Sequence, residues 1–203
     1  MGNFFLLWCG ILLLIAGGWI YRAWRLLRTL LLAPRLQPFT KQLAADPPFV
    51  SVIVPAKNEE KNIRSCVQKL LAQDYPHFEL IVVNDNSTDQ TEGLLKTLGV
   101  DYVNAQPTPD GWTGKNFAIH TGVAKAKGSW LLFTDADTVH QPESVASALH
   151  TALLQRVDFL TLAPETKCCS FWENVVQPLA VGSLALWFFP ESGENRAGLA
   201  NGQ

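Results

Sequence analysis

The amino-acid sequence predicts an α/β fold with a mostly parallel central sheet, preceded by one transmembrane helix. Two observations lead to this prediction. Short apolar segments rich in β-branched residues alternate with segments whose apolar residues recur at helical spacing, the pattern of a parallel sheet with helices on both faces. A long uncharged apolar stretch stands at the N-terminus. With 203 residues the chain is long enough to bury a core of its own.

The stretch Phe4–Tyr21 contains no charged residue and predicts the transmembrane helix. As a helix it would be about 27 Å long, close to the thickness of the hydrocarbon core of a bilayer. Three arginines follow it closely, Arg22, Arg25 and Arg28, so the positive-inside rule predicts that the rest of the chain faces the cytoplasm. A cleaved secretory signal, the alternative, carries its charges before the apolar stretch rather than after it. We therefore expect a membrane anchor over residues 1–32 and a proline-containing linker over 33–48.

Residues 49–165 are predicted to form the α/β domain. The predicted strands are Phe49–Pro55, Glu79–Val83, Val100–Asn104, Trp130–Phe133 and Asp158–Leu162. Helices are predicted after Asn58, which is placed to cap one, after Ser87, which forms a capping-box pattern with Gln90, over 115–127, and from Pro142 to Gln155. This alternation places the carboxyl ends of several strands at one edge of the sheet, where ligands bind in open α/β folds.

Polar residues follow three of the predicted strands directly. They are the segments 55–58 (PAKN), 84–87 (NDNS) and 135–137 (DAD). Asp135 and Asp137 are two residues apart, and alternate residues of extended backbone point to the same side. A turn there brings both carboxylates toward one hard cation such as Mg²⁺ or Mn²⁺, which also binds ligand phosphates. An Asp-x-Asp pattern also arises by chance, in which case either residue simply caps a turn.

Two further residues have the chemistry of a nucleotide site. Asp85 follows an apolar strand, and a carboxylate there accepts a hydrogen bond from a base or a ribose; the alternative is an ordinary turn residue. Lys115 follows a glycine-containing loop at the start of a helix. It either contacts a phosphate or is a solvated lysine. The net charge of −2 and the sequence pI near 6.1 argue against a nucleic-acid-binding protein.

These segments resemble the inverting family 2 glycosyltransferases, whose catalytic domain has the GT-A fold. The resemblance rests on four stretches in the family's order and spacing: 51–59 (SVIVPAKNE), 80–89 (LIVVNDNSTD), 114–118 (GKNFA) and 133–138 (FTDADT). The segment 111–116 (GWTGKN) is similar to the membrane-associated subgroup linked to hopanoid or carotenoid glycosylation.

The resemblance implies a role for each matching residue. The nucleotide pocket would be lined by Pro55, Ala56, Asn58 and Glu59. Asp85 would read the base, Lys115 would sit near the nucleotide, Asp135 would lie by the ribose and diphosphate, and Asp137 would hold the Mn²⁺ or Mg²⁺ ion. The implied donor is a nucleotide sugar, chiefly a UDP-sugar, and the implied acceptor is a lipid or lipid-linked molecule. The sugar would be transferred with inversion at its anomeric carbon.

Family members continue into an acceptor-binding half that carries the general base. We expect residues 166–203 to be only the start of that half, so no residue of this chain is assigned as the base. Two other functions are kept open at this stage: a truncated, catalytically silent nucleotide-binding or interaction protein, and a different nucleotide-using enzyme. An oxidoreductase would need a Gly-x-Gly-x-x-Gly pattern after the first strand, where this chain has PAKNEE.

Overall fold

The computed structural model describes residues 2–32, 36–39, 47–163, 170–177, 180 and 199–201. The chain divides into two compact units, one comprising Met1–Leu36 and Val157–Gln203 and the other Gln37–Arg156. The predicted linker is described in part, and the predicted acceptor-side region over 166–203 lies largely outside the described residues. The domain boundaries drawn from the sequence stay predictions.

The first unit contains the N-terminal helix α1 (Gly2–Leu32). Within it, Leu6–Arg25 is long and apolar enough to cross a membrane, with a mean hydropathy of 1.7. Near its C-terminal end, the guanidinium carbon of Arg25 lies 6.0 Å from the centroid of the Tyr21 ring, and that of Arg28 lies 5.5 Å from the Trp24 ring. Amphipathic rings and basic side chains of this kind favour the membrane–water interface.

The second unit holds the central sheet. Its elements in chain order are β1 (Val50–Ala56), α2 (Ile63–Leu71), β2 (Phe78–Asn84), α3 (Thr91–Leu98), β3 (Tyr102–Asn104), α4 (Gly114–Val123), β4 (Trp130–Phe133) and α5 (Ser144–Gln155). The four strands pair in parallel in the order β3-β2-β1-β4. The predicted parallel α/β fold is therefore confirmed.

Helices cover both faces of this sheet. On one face, alternate β1 residues pack with the buried sides of α2 and α5 and with Leu95 of α3. On the other face, Ile53 and Val83 pack against Ala118 of α4. This alternation along β1 explains why the strand is apolar at every position except Ser51, since both of its faces are buried.

Pro55 is accommodated within β1 because of where β4 ends. The carbonyl of Ile53 accepts a hydrogen bond from Thr134 on the β4 side, and residues two apart in a strand point the same way. The position of the missing Pro55 N–H therefore faces the β4 side, where pairing stops at Ile53 and Phe133. A proline beyond the last paired residue costs the sheet no hydrogen bond.

The fifth predicted strand is wrong in position and pairing. The strand β5 (Thr161–Ala163) begins after most of the predicted Asp158–Leu162. It pairs in parallel with β6 (Leu199–Asn201) in a separate two-stranded sheet of the first unit. A short helix, α6, spans 171–177. A short apolar run predicts a strand but contains no information about its distant partner.

The two predicted helix caps are also wrong. Helix α2 begins at Ile63, and Asn58 instead accepts a hydrogen bond at its Oδ1 from the Thr88 backbone N–H, at 2.8 Å. At α3 neither Ser87 nor Gln90 makes a capping-box bond, and the Thr91 backbone N–H donates to Asp89 Oδ1 at 2.9 Å. The polar groups of these loops bond mostly to each other rather than to the nearest helix.

Part of the predicted linker belongs to the second unit. The backbone N–H of Phe39 donates to Ser147 Oγ of α5 at 2.8 Å, and the Phe39 ring stacks on the His150 imidazole with centroids 3.8 Å apart. Ser147 is buried, so this contact ties residue 39 to the packed face of α5.

Replacing Gly128 by alanine is expected to lower the free energy of unfolding by about 2–3 kcal/mol. An added Cβ would lie 2.5 Å from the Ser51 nitrogen and 2.8 Å from the Phe49 carbonyl oxygen, so backbone must move. Denaturant unfolding of the full chain in detergent measures the change. Gly93→Ala in α3 is the matched control, because its Cβ meets only Gln90 Oε1 at an ordinary 3.5 Å, and stability there should be equal or higher. Equal stability of the two variants would contradict the predicted clash.

Candidate functional site

The carboxyl ends of β1, β2 and β4 lie together at one edge of the sheet. Ala56 at the end of β1 is in register with Asn84 at the end of β2, and Ile53 is in register with Phe133 at the end of β4. The three polar segments identified in the sequence follow these ends. Their meeting at this edge is as predicted.

The loops after β1 and β2 are joined by hydrogen bonds. The backbone N–H of Asn58 donates to Ser87 Oγ at 3.0 Å, and that of Glu59 donates to Thr91 Oγ1 at 2.8 Å. Asn58 and Asn86 adopt left-handed backbone conformations, with φ of 56° and 51°. Asparagine tolerates this region better than most residues. The two loops therefore form one braced wall of the site, and the side-chain oxygen of Asn58 is used in bracing it.

Asp85 supplies a buried carboxylate to the site. Its side chain is 5% exposed, and its Oδ2 lies 3.3 Å from Lys57 Nζ. Its Oδ1 accepts from Asn86 Nδ2, also at 3.3 Å. A Cβ added to Gly114, the first residue of α4, would lie 2.6 Å from Asp85 Oδ2. Any residue with a side chain at position 114 would therefore clash with the carboxylate, and glycine allows the α4 backbone to approach it closely.

Lys115 links the Asp85 side of the site to the β4 side. Its Nζ lies 2.7 Å from Asp135 Oδ1, and the two side chains are 59% and 56% exposed. Two consecutive residues at the start of α4 therefore contact the two carboxylates. Gly114 contacts Asp85, and Lys115 pairs with Asp135. Three predicted site residues, Asp85, Lys115 and Asp135, are thus brought together.

The Asp135–Asp137 segment presents its carboxylates outward. Ala136 is 3% exposed and packs in the core, while Asp135 and Asp137 on either side of it are exposed. Cys66 of α2 lies beneath, its Sγ 3.8 Å from the Asp135 carbonyl oxygen. Burial, together with the charges of Asp137 and Glu59, raises the pKa of the Cys66 thiol to about 12. Asp137 and Glu59 therefore act on one thiol, which stays protonated and inert.

The segment after β4 is held at both of its ends. Thr134 Oγ1 and His140 Nε2 lie 2.8 Å apart, and burial lowers the pKa of His140. Gln73, itself buried, donates from Nε2 to the Gln141 carbonyl at 2.7 Å and accepts at Oε1 from the Val145 backbone N–H at 3.0 Å. These contacts leave the carboxylate segment little freedom.

The two carboxylates fit a divalent cation whose remaining coordination positions are filled by waters and a bound ligand. Among the residues that the structure describes, no group of three or more His, Cys, Asp or Glu side chains is placed to hold a metal. Asp135 and Asp137 offer carboxylate oxygens only. Mg²⁺ is usually bound in this way, by one or two carboxylates together with waters and the phosphates of a substrate.

An aromatic cluster lies beside the start of α4. The Trp112 ring is 5.7 Å from Phe117 and 5.1 Å from His120, centroid to centroid, and Trp112 is 45% exposed. His120 is thus a neighbour of Trp112 in this aromatic cluster.

Comparison with known proteins identifies the family. Residues 51–192 match the sequence model of glycosyl transferase family 2. The chain belongs to this family. The matched region includes the three strand ends and the start of α4, so every residue of the site described above lies within it.

A curated relative is 4,4'-diaponeurosporenoate glycosyltransferase of Staphylococcus aureus strain N315. It is 34% identical over 123 residues, which are 60% of this chain and 32% of that protein. The chain thus spans about a third of the length of the curated relatives it matches.

Two solved structures are similar to this family 2 chain. Staphylococcus aureus TarS 1-349 in complex with UDP-GlcNAc has 29% identity and a TM-score of 0.50, and the match covers 60% of this chain and 36% of that one. Glucosyl-3-phosphoglycerate synthase from Mycobacterium tuberculosis, in complex with Mn²⁺, UDP and glucosyl-3-phosphoglycerate, has 28% identity and a TM-score of 0.50, covering 68% and 50%. The predicted GT-A fold is confirmed.

Two residues of the site were missed by sequence analysis. Lys57 stands directly after β1 and pairs with Asp85, and its position within a strand-end segment was the available signal. Gly114 contributes by having no side chain, and its contact with Asp85 comes from a distant strand. The sequence marks it only as the first residue of the 114–118 (GKNFA) stretch, with no indication of this contact.

Proposed function

We propose that this chain carries the donor site of a glycosyltransferase that uses a nucleotide sugar, in particular a UDP-sugar. The observation that supports this most is the joining of Asp85, Lys115 and Asp135 at one edge of the sheet through consecutive residues of α4. The buried carboxylate of Asp85 suits a base. The exposed ammonium group of Lys115 suits a diphosphate, and the exposed carboxylate of Asp135 suits a metal ion.

The base end of the donor is assigned to Asp85. Its buried carboxylate accepts hydrogen bonds only, so it favours a base that presents a ring N–H, as uracil does at N3. Lys57, 3.3 Å away, donates to a carbonyl next to that N–H. Pro55, Ala56 and the braced loop at Asn58 and Glu59 line the same pocket. The Ala56 side chain is 1% exposed, so this position contributes backbone rather than side chain.

The diphosphate end is assigned to Lys115, Asp135 and Asp137. The two carboxylates would hold Mn²⁺ or Mg²⁺, which supplies positive charge to offset the charge that develops on the departing diphosphate. Lys115 donates hydrogen bonds to phosphate oxygens, and Asp135 lies by the ribose. The relative from Mycobacterium tuberculosis, crystallised with Mn²⁺ and UDP, is consistent with this assignment. The sugar is transferred with inversion at the anomeric carbon.

The acceptor is proposed to be a lipid or lipid-linked molecule at a membrane. Helix α1 is long and apolar enough to cross a bilayer, and its three arginines follow the apolar stretch, which orients the α/β domain toward the cytoplasm. The relative from Staphylococcus aureus is named for 4,4'-diaponeurosporenoate. No residue of the described site is assigned as the general base.

The function is tested by calorimetric titration of the full chain in detergent with UDP, CDP and ADP, each with and without Mn²⁺. We expect UDP to bind at least ~10-fold more tightly with Mn²⁺ than without it, and at least ~10-fold more tightly than CDP. Cytosine presents a lone pair at N3 in place of this N–H, so the buried Asp85 carboxylate loses that donor and faces a second acceptor. Absence of UDP binding, or equal binding of UDP and CDP, would contradict the proposal.

A further inference from the structure

We propose that Lys115 makes metal binding at Asp135 dependent on the donor. In the absence of a donor the ammonium group is the counter-ion of Asp135, and when a donor binds it transfers to the diphosphate and releases the carboxylate to the metal. This inference rests on the proposed function of the site and assigns Lys115 a second role in it.

The first step is the occupation of Asp135. Lys115 Nζ lies 2.7 Å from Asp135 Oδ1, a direct charge-assisted hydrogen bond. A divalent ion must approach the same carboxylate to about 2.1 Å. The ammonium group and the ion therefore compete for the carboxylate oxygens, and their like charges repel at this distance. A metal without a donor has to displace Lys115 and then remain next to a positive charge.

The second step is the ease of exchange. Both side chains of the Lys115–Asp135 pair are more than half exposed, and pairs of this kind contribute little to stability. The lysine side chain is a flexible four-carbon chain, so its ammonium group can move while the backbone of α4 stays in place. The Lys57–Asp85 pair differs, because the Asp85 side chain is only 5% exposed. Of the two lysine pairs in the site, Lys115–Asp135 is the one built to exchange.

The third step is the destination of the ammonium group. Lys115 is the second residue of α4, and the adjacent Gly114 touches Asp85. A diphosphate that runs from a base at Asp85 toward Asp135 passes the first turn of α4, where backbone N–H groups and Lys115 favour an anion. Neutralising Lys115 by phosphate removes its repulsion of the metal. Because coupling between two ligands is reciprocal, the metal in turn strengthens donor binding.

The test measures Mn²⁺ binding directly, from the electron paramagnetic resonance signal of free Mn²⁺, with and without UDP. In the wild-type chain we expect UDP to increase the affinity for Mn²⁺ by at least ~10-fold. In Lys115→Met, Mn²⁺ alone should bind about 5-fold more tightly, since an adjacent positive charge is removed. The increase caused by UDP should then be about 5-fold smaller than in the wild-type chain, because the phosphates still ligate the ion.

Two variants serve as controls for the removal of charge. Lys115→Arg keeps the positive charge and should retain the wild-type coupling. Lys125→Met removes an exposed lysine beyond the end of α4 and should behave as wild type. Unchanged or weaker Mn²⁺ affinity in Lys115→Met, or an equal gain in Lys125→Met, would overturn the inference while leaving the donor site standing. A wild-type chain that binds neither UDP nor Mn²⁺ would overturn the proposed function and this inference with it.

Discussion

Replacing Asp137 by alanine is expected to weaken UDP binding in the presence of Mn²⁺ by about 100-fold. The variant keeps Asp85 and Lys115 but leaves Asp135 as the one carboxylate of the pair. An ion held by a single protein ligand contributes little affinity to the diphosphate. Calorimetric titration of UDP at saturating Mn²⁺ measures the loss. In the presence of a chelator the variant and the wild-type chain should bind UDP equally weakly, because the metal is then absent from both.

Asp101→Ala is the matched control for this substitution. Asp101 is exposed and lies before β3, outside the site, so its replacement removes the same charge without affecting the two carboxylates. Asp137 is exposed as well. Asp137→Ala and Asp101→Ala should therefore have the same thermal unfolding midpoint, within the error of the measurement. Metal-dependent UDP binding that survives in Asp137→Ala would refute the assignment of this residue to the metal.

The central sheet was predictable because its signals are local. Each of its strands is a short apolar segment, and the predicted Trp130–Phe133 coincides with β4. Gly99 ends α3 in the left-handed conformation, with φ of 65°, which glycine adopts without cost. The fifth strand was predicted in the wrong place because its partner, β6, follows more than thirty residues later. Pairing over that distance leaves no trace in the local sequence pattern.

The helix caps and part of the site could not be predicted for the same reason as the fifth strand, because their contacts are made with distant segments. Asn58 and Ser87 have the residue types of helix caps, yet each bonds to the other loop of the braced wall, which a pattern along one segment does not reveal. Asp85 and Asp135 were found because a carboxylate at the end of an apolar strand is conspicuous by itself. Lys57 and Gly114 act only through their contact with Asp85. Residues whose role is defined by a partner are found once the partner's position is known.

Replacing Gly114 by alanine is expected to weaken UDP binding by about 10- to 100-fold while changing the free energy of unfolding by less than about 1 kcal/mol. The new Cβ would lie 2.6 Å from Asp85 Oδ2, the end of a side chain rather than backbone, so the carboxylate turns away and the backbone stays in place. Titration with UDP and denaturant unfolding measure the two effects separately. Gly93→Ala, which places its Cβ in an ordinary contact, should leave UDP binding unchanged and the free energy of unfolding equal or higher.

The combination with Asp85→Ala decides whether the loss at Gly114 acts through that carboxylate. If alanine at 114 acts only by displacing Asp85, then Gly114→Ala added to Asp85→Ala has no further effect on UDP binding, because the group that it displaces is already gone. A methyl group that instead blocks the nucleotide itself would weaken binding in both backgrounds by the same factor. Additive losses would therefore show that position 114 lines the pocket directly, and a loss confined to the wild-type background would show that Gly114 serves to orient the base-reading carboxylate.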